Sequence, residues 1–105
     1  MLALFPENIR MQIYRSPRFT MGRPAITPAA EAALHAAGIH PLRLLARHIY
    51  GDWGDLPAED LAENERALLS GARLLSSYAI PGGGKVWVIT EADRSITTIL
   101  LPEDY

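Results

Sequence analysis

Histidines are the first residues to weigh for chemistry, because their charge changes near neutral pH. The chain has three, His35, His40 and His48. None stands at the spacing with a carboxylate that is typical of a metal-binding helix. His48 lies beside the apolar stripe of the stretch LRLLARHIY, which favours a packed or surface side chain over a catalytic base. We therefore predict no catalytic residue and no metal site.

The stretch Asp52-Trp53-Gly54-Asp55 offers a second candidate site. Its two aspartates could bind a divalent cation. However, a role as a helix cap accounts for Asp55, and Gly51 and Gly54 account for the turn. Trp53 is either a plug beneath the loop or an exposed anchor for a partner, and an exposed tryptophan is a typical binding hot spot. We favour the plug, and keep Trp53 and Asp52 as candidate partner-binding residues.

A polar turn at residues 91–95 supplies the other candidate contacts, Glu91, Asp93 and Arg94. One interpretation is a solvated loop whose internal ion pair contributes little. The alternative is a polar recognition patch. The glycines before Lys85 are not a phosphate-binding loop, because Val86-Trp87-Val88 follows them where such a loop requires a helix.

Length and composition limit the classes of protein. At 105 residues we expect a single domain over 1–105, with residues 1–18 as an N-terminal extension. The chain has no cysteine, no apolar run long enough for a membrane span and no signal-peptide pattern, so we expect a cytoplasmic protein without a cofactor. The net charge of −2 argues against nucleic acid as a partner.

Hydrophobic periodicity and turn residues predict an α+β fold. Residues 9–14 alternate as a strand, and residues 19–21 suggest a second short extended piece. The basic residues Arg10, Arg15, Arg18 and Arg23 gather there, either as a charged strand edge or as a contact surface for an acidic partner or a nucleic-acid backbone.

Three short helices should follow these N-terminal strands. The first begins at Thr27-Pro28 and ends at Gly38, and the second runs from Pro41 to Gly51. The third has its cap at Asp55 or Leu56 and ends at Gly71.

The C-terminal third should form a three-stranded antiparallel β-meander from residues 73–80, 85–90 and 96–101. Both faces of this ribbon are substantially apolar, whereas a sheet with one wet face alternates more cleanly. We therefore expect helices over one face, and a strand, loop or partner over part of the other.

Three stretches carry a resemblance to known proteins: GDWGDL, GARLLSSY and VWVITEADRSITTILLPEDY. Over residues 19–105 the chain resembles a family of small, uncharacterised bacterial proteins found on plasmids, integrated elements and phage-like regions, often labelled "plasmid-related protein". The resemblance implies an accessory protein of a mobile genetic element. It transfers no catalytic residue.

Two functions follow as hypotheses. The first is a non-enzymatic protein that binds a protein partner, for example an inhibitor of a host restriction or CRISPR defence system, with a homodimer as a further option. The second is a small ribonuclease resembling the RelE and barnase layouts, whose catalytic set would draw on His48, Arg73, Arg94 and Thr98. The acidic net charge counts against the second, because such an enzyme must hold a polyanion.

Overall fold

A computed structural model describes residues 16–105 of the chain. The predicted strand at residues 9–14 lies outside the described residues. The elements in order are β1 (Arg23–Ile26), α1 (Pro28–Ala37), α2 (Pro41–Ile49), α3 (Ala58–Ser70), β2 (Leu74–Ala79), β3 (Lys85–Thr90), β4 (Ile96–Leu100) and a 3-10 helix (Pro102–Asp104). This order confirms the α+β class with three helices.

The predicted helix boundaries depend on caps, and most of them are confirmed. The Thr27 hydroxyl accepts a hydrogen bond from the backbone N–H of Ala30, at 3.2 Å, and Gly38 ends α1 with a φ of 72°. The third helix differs, because Pro57, and neither Asp55 nor Leu56, occupies its N-cap position. The reason is that the backbone N–H of Asp55 donates instead to the Ser77 carbonyl, at 2.7 Å, which holds this stretch against β2.

The sheet is mixed and has four strands in the order β1-β4-β3-β2. β2, β3 and β4 pair antiparallel, as predicted, but β1 adds to β4 in parallel. The prediction of a three-stranded antiparallel sheet was therefore incomplete. The predicted piece at residues 19–21 is not part of the sheet, and the added strand is the following stretch RPAI.

The helices cover one face of the sheet, here called the inner face. Two apolar clusters join the helices to it. The larger cluster contains Ala30, Leu34, Leu44, Leu45, Tyr78, Val86, Val88 and Ile99. The smaller contains Trp53, Ala67 and Leu74.

The opposite face, here called the outer face, is covered more thinly by the C-terminus. Tyr105 lies edge-on to Trp87 with ring centroids 6.0 Å apart, and its hydroxyl accepts a hydrogen bond from Arg73 at 2.5 Å. Ile89 and Leu100, on this face, are only 5% and 7% exposed. Tyr105 itself is 68% exposed. The last residue of the chain therefore covers the part of the second face that holds Trp87 and Arg73.

Within residues 16–105, no helix combines the length and the apolar character needed to cross a membrane.

Candidate functional site

A buried chain of hydrogen bonds connects α2 to the inner face of the sheet. The Thr97 hydroxyl donates to the Met21 carbonyl at 2.7 Å, so it must accept from Thr90, 2.6 Å away. Thr90 has then used its only hydrogen and must accept from Nε2 of His48, at 2.9 Å. Nδ1 of His48 is left to accept from the Ser76 hydroxyl, at 2.5 Å. The chain of donors therefore requires the neutral Nε2–H form of His48.

The surroundings of His48 favour the same neutral form. Burial, with a smaller contribution from the positive charge of Arg94, lowers the pKa of His48 from 6.5 to about 3. Phe19 and Trp53 pack edge-on against the imidazole, with centroid distances of 5.2 and 5.7 Å. Of the two positions that the sequence left open for His48, packed or at the surface, the structure shows the packed one.

The four residues of the ribonuclease alternative do not converge on one site. His48 lies on the inner face, while Thr98 follows the inward-facing Thr97 and so points to the outer face. Arg73 binds Tyr105 on that outer face. Arg94 lies near His48, and the expected catalytic set is therefore divided by the sheet.

Trp53 is the plug that the loop sequence suggested. It is 5% exposed and stacks on Phe19 at a centroid distance of 6.1 Å. Its indole N–H donates to Glu65 at 2.9 Å, and the same carboxylate binds Arg18 through two hydrogen bonds of 2.7 and 2.9 Å. The bonds from Arg18, and to a smaller extent the one from Trp53, lower the pKa of the Glu65 carboxyl. As a candidate partner-binding residue, Trp53 presents almost no surface to another protein.

Asp52, the neighbour of Trp53, is exposed but also holds the loop in place. Its carboxylate accepts a hydrogen bond from Nε of Arg47 at 2.7 Å and binds the backbone N–H of Gly54 at 3.3 Å. Its carbonyl accepts from the buried Tyr78 hydroxyl at 2.6 Å.

The turn at residues 91–95 is held by Arg94. Its guanidinium donates to the carbonyls of Ala72 (2.7 Å) and Ala67 (3.2 Å), and to two carbonyls within the turn. Hydrogen bonds from Ser95 lower the pKa of the Asp93 carboxyl, first from its side chain and then from its backbone N–H, which donates at 2.9 Å. Glu91 and Asp93 are exposed, while the donors of Arg94 are directed to backbone carbonyls of the protein itself.

Phe19 brings the two predicted groups next to each other. Its ring stacks on Trp53, and the Arg94 guanidinium carbon lies 5.8 Å from the ring centre. The loop at residues 52–55 and the turn at residues 91–95 therefore border one aromatic side chain. Among residues 16–105, no group of three or more His, Asp or Glu side chains is placed to bind a metal ion.

An apolar groove lies at the other edge of the sheet, beside β1. It has a volume of about 190 Å³. Its lining comes from β1, from the start of α2 and from β4: Pro24, Ala25, Ile26, His40, Pro41, Leu42, Leu45 and Ile99. Leu42 is 62% exposed, although it is a large apolar residue. The sequence does not reveal this groove, because Leu42 belongs to the apolar stretch LRLLARHIY and nothing in the local pattern marks it as exposed.

Comparison of the chain with protein-family models, with curated proteins and with solved structures finds no match.

Proposed function

We propose that this chain is a non-enzymatic accessory protein of a mobile genetic element, and that it acts by binding a protein complex of the host's restriction or CRISPR defence. The assignment to a mobile genetic element is supported by the resemblance to the plasmid-related family. That resemblance lies in three stretches, GDWGDL, GARLLSSY and VWVITEADRSITTILLPEDY. The proposal that the chain acts by binding another protein is based on a feature of the surface of the folded domain.

The observation that carries the binding role is the groove beside β1. Leu42 exposes 62% of its surface there, next to the apolar side chains of Ile26 and Leu45. An apolar groove at a sheet edge with which no other strand of residues 16–105 pairs suits a protein ligand. By contrast, His48 is committed to an internal hydrogen-bond chain, and Arg94 to backbone carbonyls, so neither supports a catalytic role.

A challenge assay tests this function directly. Cells with an active restriction or CRISPR system are transformed with target DNA, with and without the protein. We expect the protein to raise transformation efficiency by about tenfold or more, and to co-elute with the purified defence complex in size-exclusion chromatography. A system-free strain should show no effect.

The ribonuclease alternative is measured on the same preparations. Purified protein is incubated with single-stranded and structured RNA, and a His48→Ala variant serves as the control. RNA cleavage that this variant loses, together with no protection against any defence system, would refute the proposed function.

A further inference from the structure

We infer that the partner is held by strand addition: an extended segment of another protein, with an apolar side chain flanked by acidic residues, pairs with the open edge of β1. This inference rests on the proposed binding function and specifies its mode. Three features of the β1 edge support it.

The first feature is the direction of the backbone groups of β1. The backbone N–H of Arg23 donates to the Ser95 carbonyl at 3.0 Å, and that of Thr27 to the Ile99 carbonyl at 3.0 Å. Because these groups alternate along a strand, Pro24 and Ile26 point theirs away from β4. The edge therefore presents one N–H, from Ile26, and two carbonyls, from Ile26 and Pro24. None of the three has a hydrogen-bond partner within residues 16–105.

The second feature is the identity of the residues, which disfavours a second copy of this chain. A two-fold pairing of β1 with itself would place Ile26 opposite Pro24 or opposite its own copy. Proline lacks an N–H, so the first register makes two hydrogen bonds and leaves both Ile26 carbonyls unpaired. The second register brings Pro24 opposite Pro28, at the start of α1. A foreign strand with ordinary backbone can satisfy all three outward groups at once.

The third feature is the chemistry around the edge. The side chains of Pro24 and Ile26 line the groove together with Leu42 and Leu45, so a strand added to β1 would direct alternate side chains into it. Arg23, on the strand itself, and Arg43, beside Leu42, are exposed and form no ion pair with residues 16–105. An apolar anchor with acidic neighbours complements this surface.

The test uses the full-length, ¹⁵N-labelled protein and a defined probe, the peptide acetyl-Glu-Val-Leu-Val-Glu-amide. We expect binding with a Kd of about 0.1–1 mM, since only three backbone hydrogen bonds and one side chain contribute. Chemical-shift changes should centre on Ile26, Thr27 and Leu42. Amide exchange of Ile26 should slow by about tenfold at saturation.

Two altered peptides and two variants control this experiment. N-methylation of the three central residues should abolish binding, and lysine in place of both glutamates should weaken it by about threefold. Leu42→Glu should also abolish it, whereas Leu69→Glu, at a 92% exposed position on α3 outside the groove, should leave it unchanged. No binding at 5 mM peptide, or equal effects of the two variants, would overturn strand addition.

Failure of strand addition and failure of the proposed function give different results when the same variants are used in the protection assay. If wild type and Leu69→Glu protect target DNA but Leu42→Glu does not, both ideas hold. If all three protect equally, the function stands and strand addition is wrong. If none protects while the peptide binds as described, the edge binds strands but the assigned partner class is wrong.

Discussion

His48 lies where a positive charge cannot be solvated, between α2 and the inner face of the sheet. Its pKa is about 3 when folded and 6.5 as the reference value, so the unfolded chain binds the proton more readily. Burying His48 in its neutral form therefore costs no protonation free energy above pH 6.5, and the folded state loses stability relative to the unfolded chain as the pH falls from 6.5 towards 3. We expect the part of this stability that is lost between pH 7.0 and pH 4.5 to be at most about 3 kcal/mol, measured by urea unfolding at pH 7.0, 5.5 and 4.5.

Carboxylates also titrate in this range, so a matched control is needed. His48→Gln keeps a polar side chain of similar length but removes the titration, and its stability should depend less steeply on pH between 6.5 and 4.5. His35→Gln, at an exposed position, should keep the wild-type slope. Identical slopes for wild type and His48→Gln would show that His48 does not cause the acid sensitivity.

Arg94 is the one non-glycine residue of the described chain with a positive φ, 61°. Its backbone is strained, and its guanidinium donates hydrogen bonds to the backbone carbonyls of Ala67 and Ala72. We expect Arg94→Ala to lower the free energy of unfolding by about 2 kcal/mol, because it loses those bonds and keeps the strain. Arg94→Gly loses the same bonds but relieves the strain, and should be about 1 kcal/mol more stable than Arg94→Ala in thermal or urea unfolding. The opposite order would mean that the strain is not real.

For individual residues, the sequence predicts burial better than it predicts hydrogen-bond partners. Trp53 in a Gly-flanked loop and His48 beside an apolar stripe were recognisable as packed residues. The role of Arg94 was not, because its acceptors Ala67 and Ala72 belong to segments more than twenty positions away. Hydrogen bonds between residues so far apart in the sequence depend on the tertiary structure, which the local sequence pattern does not specify.

At the scale of elements, the loop between α2 and α3 packs directly against β2. A Cβ on Gly54 would lie 2.0 Å from the Ser77 carbonyl oxygen, whereas one on Gly82 would meet nothing within 4 Å. Both glycines have a positive φ, 76° and 89°. Gly82→Ala should therefore cost about 1 kcal/mol, and Gly54→Ala about 3 kcal/mol or more, in urea unfolding. Equal costs would contradict the close approach of this loop to the strand.

Elements with local signals were predicted well. Thr27-Pro28, Gly38 and Gly71 mark helix ends by chemistry that acts within one turn, and β3 was predicted with its observed bounds. β1 was missed, because four residues that include a proline do not resemble a strand. The stretch RPAI becomes one only since β4 offers it an edge on which to pair.

At the scale of the whole molecule, the two edges of the sheet are treated differently. The β2 edge is closed: the Asn64 side chain donates to the Leu75 carbonyl at 2.6 Å and accepts its N–H at 3.1 Å, while Trp53 and Asp55 pair with Ser77. The β1 edge has no such cover from residues 16–105. Pro24 is its protection, because it removes one of the two outward N–H groups.

This asymmetry makes self-association depend on a single residue. Pro24→Val restores the missing N–H, so that two β1 strands in the two-fold register centred on Ala25 can exchange four hydrogen bonds where the wild type can form two. We expect sedimentation velocity at about 100 µM to show a dimer or larger species for Pro24→Val, and a monomer for wild type. Adding Leu42→Glu beside the edge should return the variant towards monomer through charge and lost apolar contact. A Pro24→Val protein that stays monomeric would mean that the β1 edge is blocked by something other than proline, and strand addition by a partner would then face the same obstacle.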